Sequence, residues 1–519
     1  MDKIKVLWVD DEIELLKPHI LFLEDKGFEV LSSHSGDEGL EMLMNNRVDI
    51  VFLDENMPGL SGLETLERIK QKYPHLPVVM ITKSEEEHIM EEAIGSKISD
   101  YLIKPVNPKQ ILLSIKKNLD TNRLISEKST SKYQQEFREI AMLLNDRLDE
   151  EKWVEVYKKL IYWELELEKA NKSGMEEVLI MQKNEANNQF SKFIEDNYKY
   201  WLHHPDEAPV LSHNVFKNKV IPELKNTEDT SVFLIVIDNL RMDQWEVIKP
   251  IISNYFWLEK EDAYFSILPT VTHYARNALF AGLMPSELEK RYPDLWLNDD
   301  EEGGKNMNEK LFIEAQLKMY GLNYKFSYNK VLNPNYGKKV VDEIPNLLKN
   351  KLNVIVYNFV DMLSHARTDI EVIRQLARDE AAYRSVTKSW FEHSSLLEMI
   401  KEIRNKKGKL IITTDHGSIR VKEPSKIIGD KEVNTNLRYK QGKNLNYNKK
   451  DVMEVKDPEA YFLPKINVSQ TYVFAKNDKF FAYPNNYNHY VKYYKDTFQH
   501  GGISLEEIII PIAVLSPKS

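Results

Sequence analysis

The sequence has 519 residues, enough for about three domains at a typical length of roughly 150 residues each. Its net charge of -10, from 71 Lys and Arg against 81 Asp and Glu, argues against a surface that coats nucleic acid and allows only a local basic groove. The chain has no cysteine, which excludes disulfides, thiolate metal ligands and cysteine catalysis, so any metal must be held by Asp, Glu, His or hydroxyl groups.

Targeting signals are not evident. The first residues, Met1–Lys5, lead directly into a strand-like run without a signal-peptide core. The longest apolar runs, Val232–Ile237 and Ile508–Leu515, are much shorter than the ~20 residues of a membrane-spanning helix. The sequence therefore predicts a cytoplasmic protein with no membrane span.

The first 120 residues alternate short apolar runs with amphipathic stretches. The runs are Val6–Val9, Val30–Ser32, Ile50–Leu53, Val78–Ile81 and Tyr101–Ile103. Five strands that alternate with helices are typical of a doubly wound parallel sheet. The sequence therefore predicts an α/β domain with five parallel strands at the N-terminus.

Polar residues follow these strands in a fixed order. Asp10 and Asp11 follow the first strand, Asp54 ends the third, Thr82 ends the fourth, and Lys104 follows the fifth. Any one of them is more often a simple strand-end cap, but five in this order leave that interpretation little room. Three converging carboxylates favour a divalent cation, and an all-oxygen ligand set favours Mg²⁺.

This segment resembles response-regulator receiver domains. The resemblance implies that Asp54 is the phosphoacceptor, that Thr82 and Lys104 sense the phosphoryl group, and that Tyr101 is an aromatic switch residue. The Mg²⁺ ligands that it implies are Asp10, Asp11, Asp54 and Asn56. It also implies a sensor histidine kinase as partner and a homodimer that forms on phosphorylation.

The middle of the chain predicts long helices. Between Pro108 and Pro205 there is no proline and only one glycine, and Trp153, Val156, Leu160, Trp163 and Leu167 form one apolar stripe at spacings of three and four. We interpret residues 123–205 as a helical bundle that links a receiver domain at 1–122 to a larger domain at 206–519. The bundle is either a transmitter or dimerisation element, or a spacer with a buried seam. No helix-turn-helix signature supports a DNA-binding output.

Ligand-type residues follow buried-strand patterns in the C-terminal domain. Asp238 ends the run Val232–Ile237. Asp361 ends the run Val354–Val360, and His365 lies four residues later, on the same face of a helix. Asp415 and His416 follow a strand at Lys409–Ile412, and His500 lies on a glycine-flanked loop. Each alone is as easily a turn or a helix cap.

As a set, these residues make two nitrogen and oxygen sites. The first would consist of Asp361, His365 and His500, and the second of Asp238, Asp415 and His416 with the Thr272 hydroxyl. Zn²⁺ accepts such ligands, and two ions about 4 Å apart hold the attacking and leaving oxygens of an in-line displacement at phosphorus. Ligand type alone leaves Mn²⁺ open.

Thr272 lies where a helix is predicted to begin, and the helix is closed by Gly282. Amides and the positive dipole end at such a position favour an anion, which suits a nucleophile, although an N-cap is the commoner use of threonine.

The order of ligands resembles the alkaline phosphatase superfamily and, within it, PglZ-type domains. In that superfamily the nucleophile precedes the closing glycine by ten residues and an arginine by four, so Gly282 and Arg276 indicate Thr272 rather than Thr270. The resemblance implies two Zn²⁺ ions, with Arg276 and the helix amides holding the phosphate oxygens. The absence of a convertible cysteine argues against sulfate esters, and a threonine nucleophile favours nucleotide or oligonucleotide phosphodiesters.

The succession of all three segments resembles response regulators of the PorX type, a family linked to type IX secretion and gliding. It implies contact with the secretion motor or a sigma factor. A non-hydrolytic signalling adaptor is the competing function. One basic and aromatic segment, residues 433–450, fits either an oligonucleotide-binding surface or a solvated mobile loop.

Overall fold

The structure is a computed structural model that describes residues 3–74, 76–82, 98–169, 173–227, 230–369, 377, 379–429 and 434–518. The chain forms two compact units that divide between Gln135 and Glu136. None of the described helices is long and apolar enough to cross a lipid bilayer.

The first unit contains one parallel sheet. Its strands are β1 (Lys5–Val9), β2 (Glu29–Ser33), β3 (Ile50–Asp54), β4 (Val78–Thr82) and β5 (Asp100–Ile103), in the order β2-β1-β3-β4-β5. The described helices are α1 (Lys17–Asp25), α2 (Gly36–Asn45), α3 (Gly62–Lys72) and α4 (Pro108–Asn145). The predicted doubly wound five-stranded sheet is confirmed. The helix expected at 83–97 lies outside the described residues.

Apolar residues cover both faces of this sheet. Successive strand residues point to opposite faces, so β1 sends Trp8 into one core layer and Leu7 into the other. Leu23 of α1 packs in the first layer, and Leu66 of α3 packs in the second. Both layers leave the carboxyl ends of the strands free to carry polar residues.

Long helices fill the middle of the chain, as predicted. After α4 come α5 (Glu150–Lys169) and α6 (Ser173–His203). The whole predicted apolar stripe of α5 is buried, and the ring centroid of Trp153 lies 5.3 Å from that of Phe190 on α6. The stripe is therefore the seam between two helices.

In the rest of the second unit, the described residues form fourteen strands. They are β6 (Val232–Ile237), β7 (Phe256–Phe265), β8 (Phe326–Val331), β9 (Leu352–Tyr357), β10 (Lys409–Thr413), β11 (Ile419–Arg420), β12 (Glu423–Ile428), β13 (Tyr439–Gly442), β14 (Asn446–Tyr447), β15 (Val452–Val455), β16 (Thr471–Ala475), β17 (Lys479–Ala482), β18 (Phe498–Gln499) and β19 (Ile509–Pro517). The main sheet has the order β7-β19-β10-β6-β9-β8. Its strands β10, β6, β9 and β8 are parallel, while β19 is antiparallel to both neighbours. The unit is thus α/β with a mixed sheet.

Helices accompany this sheet. They are α7 (Ile221–Asn226), α8 (Met242–Ile252), α9 (Thr272–Ala281), α10 (Pro285–Arg291), α11 (Glu309–Met319), α12 (Pro334–Leu347), α13 (Phe359–Asp369), α14 (Glu380–Glu392), α15 (Ser395–Asn405), α16 (Tyr487–Tyr494) and α17 (Leu505–Ile508). The predicted strand Val354–Val360 extends too far at its C-terminal end, because β9 stops at Tyr357 and Val360 belongs to α13. Val360 is fully buried there, and a short apolar run does not distinguish a buried strand from a buried helix.

Candidate metal centre and phosphoacceptor site

An acidic cluster lies at one edge of the five-stranded sheet. Asp10, Asp11 and Asp54 offer carboxylate oxygens that all lie within 4.8 Å of one another. The Lys104 amine lies 3.0 Å from Asp10 Oδ2 and 2.8 Å from Asp54 Oδ1. Burial, with the charges of Asp10 and Asp11, raises the pKa of Asp54 although Lys104 opposes the shift. The cluster therefore concentrates negative charge that a bound cation would relieve.

The other predicted receiver residues are Thr82, Tyr101 and Asn56, which lie outside the group of three carboxylates. The Thr82 hydroxyl donates a 2.6 Å hydrogen bond to Glu55 Oε2, a partner that the sequence analysis missed. Tyr101 is 44% exposed, and Asn56 is also exposed. A phosphoryl group on Asp54 that bound Thr82 would compete with the Glu55 carboxylate.

The first ligand group of the second unit consists of Asp238, Asp415 and His416, all fully buried at the carboxyl ends of β6 and β10. The Thr272 hydroxyl lies 3.2 Å from Asp238 Oδ1 and 3.0 Å from His416 Nε2. Gly417 follows the ligands because any side chain there would collide with the Glu506 carbonyl oxygen.

The second ligand group consists of Asp361, His365 and His500, whose ligand atoms also lie within 4.8 Å of one another. His365 Nε2 lies 3.6 Å from Asp361 Oδ2, and His500 Nε2 lies 3.7 Å from Asp361 Oδ1. The rings of His416 and His500 stack with centroids 4.3 Å apart, so the two groups adjoin.

Backbone carbonyls orient two of the imidazoles. His416 Nδ1 lies 3.1 Å from the Gly417 carbonyl oxygen, and His500 Nδ1 lies 3.2 Å from that of Thr270. A carbonyl accepts only from a protonated nitrogen, so these contacts favour a proton on Nδ1 in both rings. The Nε2 lone pairs then point into the site, an arrangement typical of histidine ligands to metals.

Electrostatics favour a cation between these residues. Burial and the nearby charge of Asp238 raise the pKa of Asp361 to about 6, and burial lowers the pKa of His500. Asp415 Oδ2 and Asn239 Oδ1 are buried and accept no hydrogen bond from the described residues. A divalent cation would satisfy buried carboxylate oxygens of this kind, so the donor set fits metal ions.

Arg276 has partners other than the phosphate oxygens expected for it. Its guanidinium is 1% exposed and donates to Asp238 Oδ2 at 2.7 Å and to Glu309 Oε1 at 2.6 Å. These two carboxylates accept from guanidinium N–H groups that would otherwise be available to a phosphate. In this structure the guanidinium therefore orients the ligand Asp238.

Asn239 is a site residue that the sequence analysis missed. Its amide N–H donates to Asp415 Oδ1 at 3.3 Å, and its side-chain Nδ2 lies 3.4 Å from Asp361 Oδ1, so it touches both ligand groups. Its φ of 63° lies in the left-handed region, which asparagine tolerates better than most residues. An asparagine directly after a strand-ending aspartate was the available signal.

The basic and aromatic segment, described over 434–450, has a buried first half and an exposed second half that includes Lys443, Lys449 and Lys450. Arg438 is fully buried and its guanidinium lies 2.7 Å from Glu507 Oε2, while Tyr439 and Lys440 are buried in β13. Of the two buried cations, Arg438 has an ionic partner, as a buried charge requires, whereas the Lys440 amine contacts the Asn434 carbonyl oxygen and the Tyr483 ring. These three side chains are therefore not part of an open binding surface, while the expectations for 443–450 stay predictions.

Three family models match the chain. A response regulator receiver domain matches residues 6–116, a PorX response regulator linker domain matches 123–202, and the BREX system PglZ alkaline phosphatase-like domain matches 215–515. The third match alone covers more than half of the chain.

Individual relatives match about a fifth of the chain. The transcriptional regulatory protein ResD of Bacillus subtilis is 30% identical over 112 residues, which are 22% of this chain and 46% of ResD. SrrA of Staphylococcus aureus is 29% identical over the same shares. The chain thus spans about half the length of the curated relatives it matches.

Solved receiver structures match a similar share of this chain. Vibrio cholerae CheY4 is 29% identical with a TM-score of 0.22, over 22% of this chain and 98% of CheY4. A receiver domain from Clostridium thermocellum is 32% identical with a TM-score of 0.22, over 23% of this chain and 98% of that chain.

Fold and matches together define a two-component response regulator whose receiver domain precedes an alkaline phosphatase-like output domain. The chain belongs to the PglZ alkaline phosphatase-like family, and its three matches follow one another as in a PorX-type regulator.

Proposed function

We propose that the output domain is a zinc-dependent phosphodiesterase with Thr272 as nucleophile, and that phosphorylation of Asp54 controls it. One observation carries the proposal. The Thr272 hydroxyl contacts Asp238 and His416 at the start of a helix, and the second ligand group adjoins the first. This is the arrangement that an in-line displacement at phosphorus requires.

The proposed reaction has two displacements. The Thr272 oxygen gives up its proton and bonds to phosphorus, while the bond from phosphorus to the leaving oxygen breaks and that oxygen takes up a proton to leave as the alcohol. Water then attacks the phosphothreonine, which restores the hydroxyl and releases a phosphomonoester. The first amides of α9 and the positive end of the helix stabilise the phosphate oxygens.

The metal assignment follows from the ligands. Three imidazoles and three carboxylates suit two Zn²⁺ ions, whereas the all-oxygen set of Asp10, Asp11 and Asp54 suits Mg²⁺. When bound, zinc lowers the pKa of the nucleophilic hydroxyl and neutralises charge at phosphorus. Arg276 and Asn239 hold Asp238, Asp361 and Asp415 in position.

The regulatory part of the proposal rests on the receiver and linker matches. A histidine kinase phosphorylates Asp54, and the phosphorylated chain forms a homodimer with altered access to substrate. The substrate class is a nucleotide or oligonucleotide phosphodiester. By its resemblance to PorX-type regulators, the chain acts in type IX secretion and contacts the secretion motor or a sigma factor.

Hydrolysis of a bis-aryl phosphate by the full-length protein tests the chemistry. We expect Thr272→Ala to reduce kcat by at least about 10³-fold, because the nucleophile is lost, and Thr272→Ser to retain a hydroxyl and measurable turnover. Chelation should abolish the activity, and Zn²⁺ should restore it better than Mn²⁺. An aryl phosphomonoester is the substrate control and should react more slowly.

Zinc content and thermal stability of each variant show that the site is intact. Equal rates for wild type and Thr272→Ala would remove the catalytic proposal. A non-hydrolytic adaptor would then be the better description of the output domain.

A further inference from the structure

Asp299 is the centre of a buried polar cluster outside the ligand groups. Its side chain is only 10% exposed, and it accepts hydrogen bonds from two parts of the chain that are far apart in sequence. On one side lies the first turn of α9, and on the other lies the segment that leads into β13.

The contact with α9 adjoins the nucleophile. His273 follows Thr272, and its Nδ1 lies 3.0 Å from Asp299 Oδ1. The same imidazole stacks on Trp296, with centroids 4.5 Å apart and ring planes at 24°. The hydrogen bond at the ring edge and the stacking contact on the ring face leave the imidazole little freedom to move. The His273 side chain therefore holds the turn of α9 that carries Thr272.

Asp299 Oδ2 accepts hydrogen bonds from the β13 segment, which is residues 434–441. Tyr439 Oη donates to Asp299 Oδ2 at 2.7 Å, Gln441 Nε2 donates at 2.9 Å, and Asn434 Nδ2 donates at 3.2 Å. Tyr439 and Gln441 are 4% and 6% exposed, so these hydrogen bonds are shielded from water. Hydrogen bonds to an ionised, buried acceptor are stronger than neutral ones.

Residues that follow Asp299 in the chain make further contacts with α9. Asn306 Nδ2 donates to the Thr272 carbonyl oxygen and to Asn277 Oδ1, each at 3.1 Å. Glu309 accepts from Arg276 at 2.6 Å. The segment 296–309 thus contacts α9 at its first turn and again one turn later, and Asp299 also joins it to β13.

We propose that Asp299 is a positioning residue for the proposed phosphodiesterase reaction, acting through His273. It fixes the first turn of α9, and with it the direction of the Thr272 hydroxyl and of the amides that face phosphorus. It also couples that turn to the β13 segment, so that a displacement of one is transmitted to the other. This inference rests on the proposed function for its kinetic part and on the hydrogen-bond network for its structural part.

Kinetics of the full-length zinc-loaded protein test the first part. We expect Asp299→Ala to lower kcat for a bis-aryl phosphate by about 10- to 100-fold, because a misplacement of order 1 Å at a nucleophile has that effect. KM and zinc content should change little, because Asp299 is not in the ligand groups. Asp299→Asn, which keeps an acceptor oxygen, should recover part of kcat. Asp300→Ala, at the exposed neighbour, is the matched control.

Hydrogen exchange tests the coupling without any turnover. We expect the amides of 272–276 and of 434–441 to exchange faster together in Asp299→Ala. Tyr439→Phe, which removes one donor and keeps the ring, should accelerate exchange at 272–276 and covers the case in which Asp299→Ala does not fold.

The two proposals fail separately. Wild-type protein that hydrolyses no phosphodiester would overturn the proposed function and leave exchange to decide the coupling. Active wild type with Asp299→Ala within two-fold of its kcat, or unchanged exchange at 272–276 in both variants, would overturn the role of Asp299.

Discussion

Lys440 occupies a position where a charged amine is costly. Its side chain is 1% exposed, its Nζ lies 2.6 Å from the Asn434 carbonyl oxygen, and it lies 4.9 Å from the centre of the Tyr483 ring. Burial lowers the pKa of Lys440 to about 7. In the unfolded chain a lysine titrates near 10.4, so between these values the unfolded state binds more protons than the folded state. The free energy of unfolding therefore rises with pH across that window.

Lys440→Met should reveal this dependence. We expect the Tm of the variant minus that of wild type to be more positive at pH 6.5 than at pH 9.5, because the cost of burying Lys440 is full below its folded pKa and has largely fallen away by pH 9.5. Each kcal/mol corresponds to about 1 °C for a unit as large as Glu136–Ser519, at about 2.1 cal/mol/K of unfolding entropy per residue. Differential scanning calorimetry at both pH values measures the effect, with the exposed Lys443→Met as control. The same Tm difference at both pH values would contradict the assignment.

Residues that end strands were the part of the site that the sequence could predict. Asp238 and Asp415 each follow an apolar run at the carboxyl edge of a parallel sheet, and topology brings such positions together. Asn239, Asp299 and Glu55 were missed, because their roles depend on partners far away in the sequence and no spacing rule marks them. The oxyanion role expected for Arg276 differs from its observed contacts for the same reason, since Glu309 supplied no signal.

Helices α5 and α6 are joined to α14 and α8 by buried ion pairs. Arg384 of α14 lies 2.6 Å from Glu164 Oε1 and 3.0 Å from Asp243 Oδ2, and Lys183 of α6 lies 2.7 Å from Glu164 Oε2. Burial opposes ionisation, but Lys183 and Arg384 outweigh it and lower the pKa of Glu164 to about 2. The helical segment of the second unit is therefore fastened to the phosphatase-like fold by charge as well as by its apolar seam.

Glu164→Gln should loosen this attachment. Loss of one partner leaves two buried cations less compensated, so we expect the free energy of unfolding to fall by about 3 kcal/mol. Glu166→Gln is the control, because Glu166 pairs with Lys169 at 2.8 Å on the surface, where a pair contributes about 0–1 kcal/mol. Urea denaturation of both variants measures the difference. Equal midpoints would show that the cluster does not hold the helices.

Element type was largely predictable from the sequence, and element ends were not. The strand at Val232–Ile237 was predicted with its observed bounds, since it is buried along its whole length between polar neighbours. The apolar stripe on α5 correctly predicted a helix, yet it left open what the helix packs against, because a stripe looks the same toward any apolar partner. The domain boundaries at 122 and 205 stay predictions.

We expect regulation by the receiver to involve the whole molecule and to begin at Lys104 and Thr82. Lys104 is bound to Asp10 and Asp54, and Thr82 is bound to Glu55, so both residues expected to sense the phosphoryl group have partners that it would replace. If both residues exchange these partners for the phosphoryl group, the receiver has two states. The added charge on Asp54 then changes a distant surface by favouring one of them.

Beryllofluoride with Mg²⁺ mimics the phosphoryl group and tests this coupling. We expect it to convert the full-length protein from monomer to dimer, because the rearranged receiver exposes a dimerisation face. Sedimentation equilibrium measures the mass. Asp54→Ala, which lacks the acceptor carboxylate, should stay monomeric under the same conditions. An unchanged mass for wild type would contradict a phosphorylation-dependent dimer.

The place of β19 between β7 and β10 has a consequence for biosynthesis. β10 pairs with β19 from Leu410 opposite Leu515 to Thr413 opposite Ile512, so the sheet stays divided until the ribosome has translated residues 509–517. The receiver needs only its own five strands and is free to fold as it emerges. During translation, a nascent chain can thus complete its receiver domain before the main sheet of its alkaline phosphatase-like domain can close.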